Sequence, residues 1–205
     1  MSESLIRFDE KVAIVTGAGR GLGREHALFL ASRGAKVVVN DSSAEHASAT
    51  ANDIVRSGGI AIADTNSVAD PEAAQNIVQS ALKEFGSLHI VLNNAGRGGP
   101  TGTIEQTTDH QVATIISTHL VGSYNMSRAA WSHFRQQQFG RILLTSSSAA
   151  VGSLGMPAYS MAKAGLIGLA RSLALEGAPD GIKINVLMPI GYTRSAALNP
   201  NEDTR

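Results

Sequence analysis

One short segment near the amino terminus limits what this chain can fold into more than any other. Residues 11–23 read KVAIVTGAGRGLG, an apolar run rich in β-branched residues that enters a cluster of glycines and leaves into a helical pattern. This order predicts a buried parallel strand, a tight turn and a helix N-terminus. Glycines let a ligand approach bare backbone, and the helix N-terminus presents unpaired N–H groups to a phosphate. The segment indicates a dinucleotide-binding turn, with a purely structural tight turn as the alternative.

Composition excludes several other classes of protein. The chain of 205 residues suits one domain over residues 1–205, and 43% hydrophobic residues argue against disorder. The 17 basic and 17 acidic residues cancel, so no electrostatic reason exists to expect nucleic acid or an anionic membrane as partner. Without cysteine there is no disulfide or thiolate metal site, and the histidines lack metal-ligand spacing, so we expect no metal. No signal peptide or membrane span is recognisable, which predicts a cytoplasmic protein.

Strand-like and helix-like runs alternate along the chain. Strands are predicted at residues 12–16, 36–40, 60–63, 89–92, 141–145 and 182–188, and helices at 22–33, 44–56, 71–85, 108–138 (broken into two) and 157–176. Continuous apolar strands indicate a parallel sheet covered on both faces. The predicted fold class is therefore α/β, a doubly wound, three-layer α/β/α sheet of the Rossmann type. After the sixth strand only a polar tail remains, which would leave one sheet edge uncovered.

Polar residues at the strand ends indicate which dinucleotide binds. Asp41 ends the second strand about 20 residues past the glycines, where a carboxylate can accept hydrogen bonds from the adenosine ribose. A carboxylate repels a 2′-phosphate, so Asp41 favours NAD, whereas Arg20 in the turn is a possible partner for that phosphate and favours NADP. Asn66 and Ser67 after the third strand are equally consistent with an adenine contact and with a polar turn.

Several motifs, taken together, resemble those of the short-chain dehydrogenase/reductase family. They are Thr16-Gly17-x-x-x-Gly21-x-Gly23, Asn93-Asn94-Ala95-Gly96, Ser146 thirteen residues before Tyr159, and Tyr159-x-x-x-Lys163. The resemblance covers residues 8–193 and implies an NAD-dependent oxidoreductase that acts on a small-molecule substrate, a secondary alcohol or ketone. Segments 37–41, 119–123 and 129–131 are similar to the dehydrogenase domain of peroxisomal multifunctional enzymes, which oxidise 3-hydroxyacyl-CoA.

The resemblance implies catalytic roles for Ser146, Tyr159, Lys163 and His119. Tyr159 and Lys163 share a helix face, so the lysine ammonium is expected to lower the tyrosine pKa into a useful range for proton transfer. Ser146 is expected to donate to the substrate oxygen, although the choice among Ser146 and its two serine neighbours rests on spacing alone. His119 stands where many members carry asparagine. It either relays protons by titrating near neutrality or is a packed structural histidine.

The resemblance also completes the set of cofactor-binding residues and raises a second function. The set is Thr16, Gly17, Gly19, Arg20, Gly21, Leu22, Gly23, Asp41, Asn66, Ser67, Asn93, Asn94, Ala95, Gly96, Tyr159, Lys163, Pro189 and Gly191. Relatives continue past the turn at residues 189–193 into a substrate-covering loop, a helix and a last strand, which we expect to be lacking here. A nucleotide-binding protein with little catalysis is therefore the alternative function. By resemblance, helices 112–134 and 158–175 pair across a two-fold axis, which predicts a homodimer or homotetramer.

Overall fold

The sheet is parallel throughout and confirms the predicted α/β class. The computed structural model describes residues 6–98 and 102–189. Within them six strands pair in the order β3-β2-β1-β4-β5-β6. The strands are β1 (Val12–Thr16), β2 (Lys36–Asn40), β3 (Ile60–Asp64), β4 (Ile90–Asn93), β5 (Gly140–Thr145) and β6 (Ile182–Leu187). The order reverses between β1 and β4, and at such a switch point doubly wound sheets bind ligands at the carboxyl ends of their strands.

The helices that cross between the strands follow local signals in the sequence. They are α1 (Gly21–Ser32), α2 (Ala44–Arg56), α3 (Pro71–Phe85), α4 (Asp109–Ile116), α5 (Gly122–Gln136) and α6 (Pro157–Gly177). Ser43 and Asp70 accept hydrogen bonds from backbone N–H groups in the first turns of α2 and α3, and Gly86 ends α3 at a φ of 76°. Because these caps are encoded locally, the predicted bounds of α2 and α3 match the observed ones.

The long helical region predicted at residues 108–138 consists of two α-helices, α4 and α5, as expected, with no loop between them. Residues Ser117–Val121 form a π-helical turn that joins α4 directly to α5. A π turn widens the helix by one residue and is often found at functional sites. Here it contains His119, whose side chain is buried although the residues on both sides of it are more exposed. The turn therefore sets the direction in which His119 enters the molecule.

Both faces of the sheet are covered, as continuous apolar strands require. In β1, Val12 and Ile14 belong to the cluster beneath α3, α5 and α6, whereas Ala13 and Val15 belong to the cluster beneath α1 and α2. Alternate residues of a strand face opposite sides, so every residue of β1 is buried. This core leaves only the strand ends free for polar side chains.

Two expectations from the sequence concern residues beyond those described. Gly191 lies outside the described residues, and so does the chain after Pro189, where the sequence predicted that a further strand and a covering segment are lacking.

Among the described residues, no helix is long and apolar enough to cross a membrane. The same residues contain no group of three or more histidine, aspartate or glutamate side chains that could hold a metal ion.

Candidate active site

The glycine turn between β1 and α1 is closely packed backbone. Gly17 and Gly21 have φ values of 61° and 57°, a region that glycine adopts without strain. A Cβ atom on Gly23 would lie 2.2 Å from the carbonyl oxygen of Gly17, so only glycine fits there. Leu22 and Arg20 are exposed on the outside of the turn. The turn and the start of α1 therefore present bare backbone at the switch point, as a dinucleotide phosphate requires.

Asn94 and Thr16 tie this turn to the end of β4. The Asn94 amide nitrogen donates to the carbonyl oxygens of Thr16 and Gly17, at 3.1 Å each. The Thr16 hydroxyl accepts hydrogen bonds from the backbone N–H groups of Asn94, at 3.1 Å, and Ala95, at 3.0 Å. Both side chains hydrogen-bond to backbone groups of the protein. Their contribution to a ligand site is the shape of the turn.

Asp41 is held at the edge of the same turn. Its carboxylate accepts hydrogen bonds from the backbone N–H groups of Gly19 and Ser43, at 3.0 Å each. A Cβ atom on Gly19 would lie 2.5 Å from the Cβ of His46, so α2 closes the turn from outside. The carboxylate is half-buried and has a fixed position beside the turn, which is where an adenosine ribose is expected.

The sequence interpretation missed Asp64, which organises the neighbouring loop. This buried carboxylate accepts hydrogen bonds from Asn40 Nδ2 at 3.0 Å, Ser80 Oγ at 2.9 Å and the backbone N–H of Asn66 at 2.9 Å. The Asn66 amide also donates to Asp64, at 3.1 Å, so it belongs to this network. The available signal was an aspartate at the end of β3, in register with Asn40 of β2.

Ser67 and Asn93 differ in how far their side chains are satisfied. Ser67 is exposed and its hydroxyl accepts a hydrogen bond from Ala69 N at 3.3 Å, which agrees with the polar-turn interpretation. Asn93 is buried, and neither atom of its amide has a hydrogen-bond partner among the described residues. A buried polar group without a partner is costly. Its place at the end of β4 therefore fits contact with a polar ligand group.

The structure does not bring the Ser146 hydroxyl to Tyr159. Ser146 is 2% exposed, and its Oγ donates to the main-chain oxygen of Lys163 at 2.8 Å. The side chain of the next residue, Ser147, instead lies close enough to the Tyr159 phenol to lower its pKa. Ser147 has extended backbone angles, so it continues the alternation of β5 and faces the opposite way from Ser146. This geometry corrects the assignment that was based on spacing.

The lysine does not act on Tyr159 as the sequence interpretation expected. Lys163 is buried, and its Nζ donates to the main-chain oxygen of Thr145 at 2.6 Å. Burial raises the pKa of Tyr159 above its ordinary value and outweighs the hydrogen bond from Ser147, which lowers that pKa. Burial also lowers the pKa of Lys163 to about 8. The expected lowering of the tyrosine pKa is therefore wrong for this arrangement, because burial dominates the tyrosine and the ammonium is bound to a carbonyl.

His119 packs directly against the catalytic candidates. Its ring meets that of Tyr159 edge-on, with 5.2 Å between centroids. Its Nε2 lies 2.9 Å from the oxygen and 3.1 Å from the nitrogen of the Arg97 backbone, while Nδ1 is buried without a partner among the described residues. Burial, and next the charge of Lys163, lowers the pKa of His119 to about 4. The expectation that it titrates near neutrality is therefore wrong, because the packed site disfavours the imidazolium.

A comparison with known proteins connects this geometry to a family. The family described as short chain dehydrogenase matches residues 11–205. The chain belongs to the short-chain dehydrogenases. This short-chain dehydrogenase is 45% identical over 195 residues to a putative short-chain type dehydrogenase/reductase of Mycobacterium tuberculosis, covering 90% of this chain and 68% of the relative. The resemblance found in the sequence is thereby confirmed.

The narrower likeness and the fold are confirmed as well. The chain is 41% identical over 199 residues to the peroxisomal hydratase-dehydrogenase-epimerase of Saccharomyces cerevisiae, covering 92% of this chain but only 22% of that protein. It also superposes on the crystal structure of an NAD+-bound xylitol dehydrogenase with a TM-score of 0.88 at 29% identity, covering 92% of this chain and 74% of the other.

Proposed function

We propose that this short-chain dehydrogenase transfers a hydride between a nicotinamide cofactor, NAD in preference to NADP, and a secondary alcohol or its ketone. The observation that carries the proposal is the meeting of Ser147, Tyr159 and Lys163 at the carboxyl edge of the sheet. The bare glycine turn lies at the same edge. A dinucleotide and an acid–base pair are thus expected to share one cleft.

The residues of the cleft suit a dinucleotide. The N–H groups at the start of α1 would hold the pyrophosphate, Asp41 the adenosine ribose, and the buried amide of Asn93 a polar group near the nicotinamide. When bound, the nicotinamide ring supplies the hydride chemistry. By resemblance, Lys163 holds the nicotinamide ribose, and Ala95, Gly96, Pro189 and Gly191 complete the pocket.

Proton transfer falls to Tyr159. Because burial raises the pKa of its phenol, Tyr159 keeps its proton at neutral pH and can donate it to a ketone oxygen. In the direction of alcohol oxidation the phenolate form of Tyr159 accepts the proton of the alcohol hydroxyl. Lys163, with a pKa of about 8, is mostly charged at pH 7, so its ammonium is available to the nicotinamide ribose. Ser147 donates to the substrate oxygen and stabilises the charge that develops there.

His119 can serve this chemistry only as a neutral imidazole. Its Nε2 either donates to the Arg97 oxygen or accepts from the Arg97 N–H, and Nδ1 takes the complementary role. We propose that His119 relays protons towards Lys163 in this neutral form. Matching pH–rate profiles for the parent, His119→Asn and His119→Ala would contradict the relay.

The test of the main proposal is the change in NADH absorbance with a panel of secondary alcohols and 3-hydroxyacyl thioesters. Tyr159→Phe is expected to lower turnover by about 10²–10⁴-fold while the Kd for NADH stays within about threefold, since only the acid–base group is removed. Tyr124→Phe, which alters an exposed tyrosine on α5, is the matched control and is expected to keep full activity. Tight NADH binding without turnover of any substrate would instead favour the alternative, a nucleotide-binding protein with little catalysis.

NAD preference rests on the charge and fixed position of Asp41. A 2′-phosphate beside this carboxylate would be repelled, whereas exposed Arg20 can swing into solvent. Asp41→Asn is expected to shift the ratio of kcat/KM values for NAD and NADP towards NADP by about tenfold, or about 1.4 kcal/mol. A parent protein that already uses NADP better than NAD would contradict this step.

Three exposed apolar side chains favour a substrate with an apolar chain. Val151 and Leu154, in the segment between β5 and α6, are 86% and 100% exposed, and Ile104 is 78% exposed. The segment that carries Ile104 is joined to the other by a hydrogen bond from Gly102 N to Gly155 O, at 2.9 Å. We therefore propose a 3-hydroxyacyl thioester as the substrate, the class that the similar multifunctional enzymes act on. Faster turnover of short polar alcohols than of acyl thioesters would contradict this choice.

Self-association through α5 and α6 is a further part of the proposal. Met161, Ala164, Gly168 and Leu175 are exposed along one side of α6, and small or apolar residues at this spacing suit a helix pair. We propose a homodimer or homotetramer. Sedimentation as a monomer at micromolar concentration would contradict it. The cytoplasmic location stays a prediction.

A further inference from the structure

A pair of reciprocal hydrogen bonds joins the end of β5 to the middle of α6. Ser146 Oγ donates to the main-chain oxygen of Lys163 at 2.8 Å. Lys163 Nζ donates in return to the main-chain oxygen of Thr145 at 2.6 Å. Each element thus offers a side-chain donor to the backbone of the other. Ser146 and Lys163 are 2% and 4% exposed, so neither bond competes with water.

The Ser146 end of this link is itself rigid. The backbone N–H of Ser146 donates to the oxygen of Leu187 in β6 at 2.8 Å, so the residue is fixed by the sheet before its side chain acts. A carbonyl oxygen has two lone pairs, and the oxygen of Lys163 can therefore accept from Ser146 without giving up its place in the helix. The Ser146 hydroxyl therefore fixes the position of Lys163 relative to the end of β5.

We propose that Ser146 is a positioning residue that holds Lys163 in register with the end of β5 and does not itself contact the substrate. This inference rests on the proposed function only for the part that Lys163 plays in turnover. The position of the lysine itself is a property of the free protein. It can be measured without cofactor or substrate.

The first test measures the titration of Lys163 directly. Acetylation by acetic anhydride is followed by mass spectrometry across a pH series, with exposed Lys83 as the internal reference. In Ser146→Ala, Lys163 is no longer held in place and is expected to become more exposed to water. Its pKa then rises towards the ordinary value, and the pH midpoint of labelling moves up by about half a pH unit or more. Ser146→Thr keeps the hydroxyl and is expected to restore the parent midpoint.

A matched control separates this effect from the loss of any buried hydroxyl. Ser160 lies on the same helix, and its Oγ is buried without a partner among the described residues. Ser160→Ala is expected to leave the labelling midpoint of Lys163 unchanged. If Ser146→Ala does not fold, Ser146→Cys takes its place, because a thiol keeps the volume and is a weaker donor.

The second test divides the roles of the neighbouring serines. Ser146→Ala is expected to lower kcat about tenfold, the scale of loss that misplacement of an active-site group causes, and to shift the pH profile of kcat in the same direction as the labelling midpoint. Ser147→Ala is expected to lower kcat more severely with the midpoint unchanged.

Two results would overturn the inference. One is a Ser146→Ala variant with a lower melting temperature but the parent labelling midpoint and the parent pH profile. The other is loss of turnover in Ser146→Ala with none in Ser147→Ala, which would make Ser146 the substrate contact. If Tyr159→Phe keeps full turnover, the proposed function fails, yet the labelling midpoints still decide the role of Ser146.

Discussion

Replacing Gly23 by alanine tests how tightly the dinucleotide turn is built. The added Cβ would lie 2.2 Å from the Gly17 oxygen and 2.5 Å from Asn94 Nδ2, far inside ordinary contact distances. Gly17 has little room to retreat. Its carbonyl accepts a hydrogen bond from Asn94. A Cβ atom added to Gly17 would itself lie only 2.8 Å from the Cα of Ala95, so the backbone of Gly17 is closely packed as well. The clash therefore spreads into the β4 loop.

The size of the effect follows from this packing. Overpacking against backbone costs about 1–3 kcal/mol. At about 2–4 °C per kcal/mol for a chain of this size, Gly23→Ala is expected to lower the melting temperature by about 2–12 °C. Since Gly17 shapes the turn that would hold the pyrophosphate, the Kd for NADH is expected to rise by about tenfold or more, or about 1.4 kcal/mol.

Thermal denaturation and NADH fluorescence titration measure both effects. Gly21→Ala is the control, because Gly21 has a φ of 57° but the added Cβ would meet no atom within 4 Å outside the adjoining backbone. It is expected to lose only the cost of the left-handed conformation, about 1–2 kcal/mol. A Gly23→Ala protein that melts within a degree of the parent and binds NADH equally well would refute the packing argument.

Three further changes test the loop network and the buried histidine. Asp64→Asn turns an amide donor towards Asn40 and Ser80, so we expect a loss of about 1–3 kcal/mol in urea unfolding, against about 1 kcal/mol for Ser80→Ala; equal losses would contradict this. Asn125→Ala removes the bond from Nδ2 to the Val68 oxygen at 3.1 Å and is expected to cost about 1–2 kcal/mol, visible as a lower melting temperature. His119 has a pKa of about 4 in the fold against an ordinary value of 6.5 in the unfolded chain, so the unfolded chain binds the extra proton between these pH values and stability falls as the pH drops through them. His119→Asn is expected to remove up to about 3 kcal/mol of that pH dependence, and an unchanged slope between pH 7.5 and 4 would argue against a neutral buried histidine.

Local order follows from the sequence because its causes lie within a few residues. The apolar runs at β1 and β2 are recognisable as strands. Ser43 and Asp70 cap the starts of α2 and α3, and Gly86 caps the end of α3, each by a hydrogen bond to the adjoining helical turn. Strand–helix alternation then leaves a parallel sheet as the arrangement that buries the central strands. The family motifs carry the rest of the fold, since their order along the chain matches a known arrangement.

The contents of the candidate site depend on contacts that no local pattern encodes. Counting back from Tyr159 selects Ser146, but a shift of one residue at the end of a strand reverses the direction of its side chain. Ser146 faces the backbone of α6 and Ser147 faces the phenol, a difference that appears only when α6 packs on β5. Asp64 likewise becomes the centre of a network only through its register with Asn40.

The sequence by itself determined the glycine turn, the strands and helices, and the family to which the chain belongs, because spacing and residue type along the chain are sufficient for each. The tertiary structure decided the protonation of the site. Charge neighbours suggested a lowered tyrosine pKa and a histidine that titrates near neutrality, yet burial raises the pKa of Tyr159 and lowers that of His119 to about 4. Desolvation is set by every element packed around a group, and it exists only in the folded molecule.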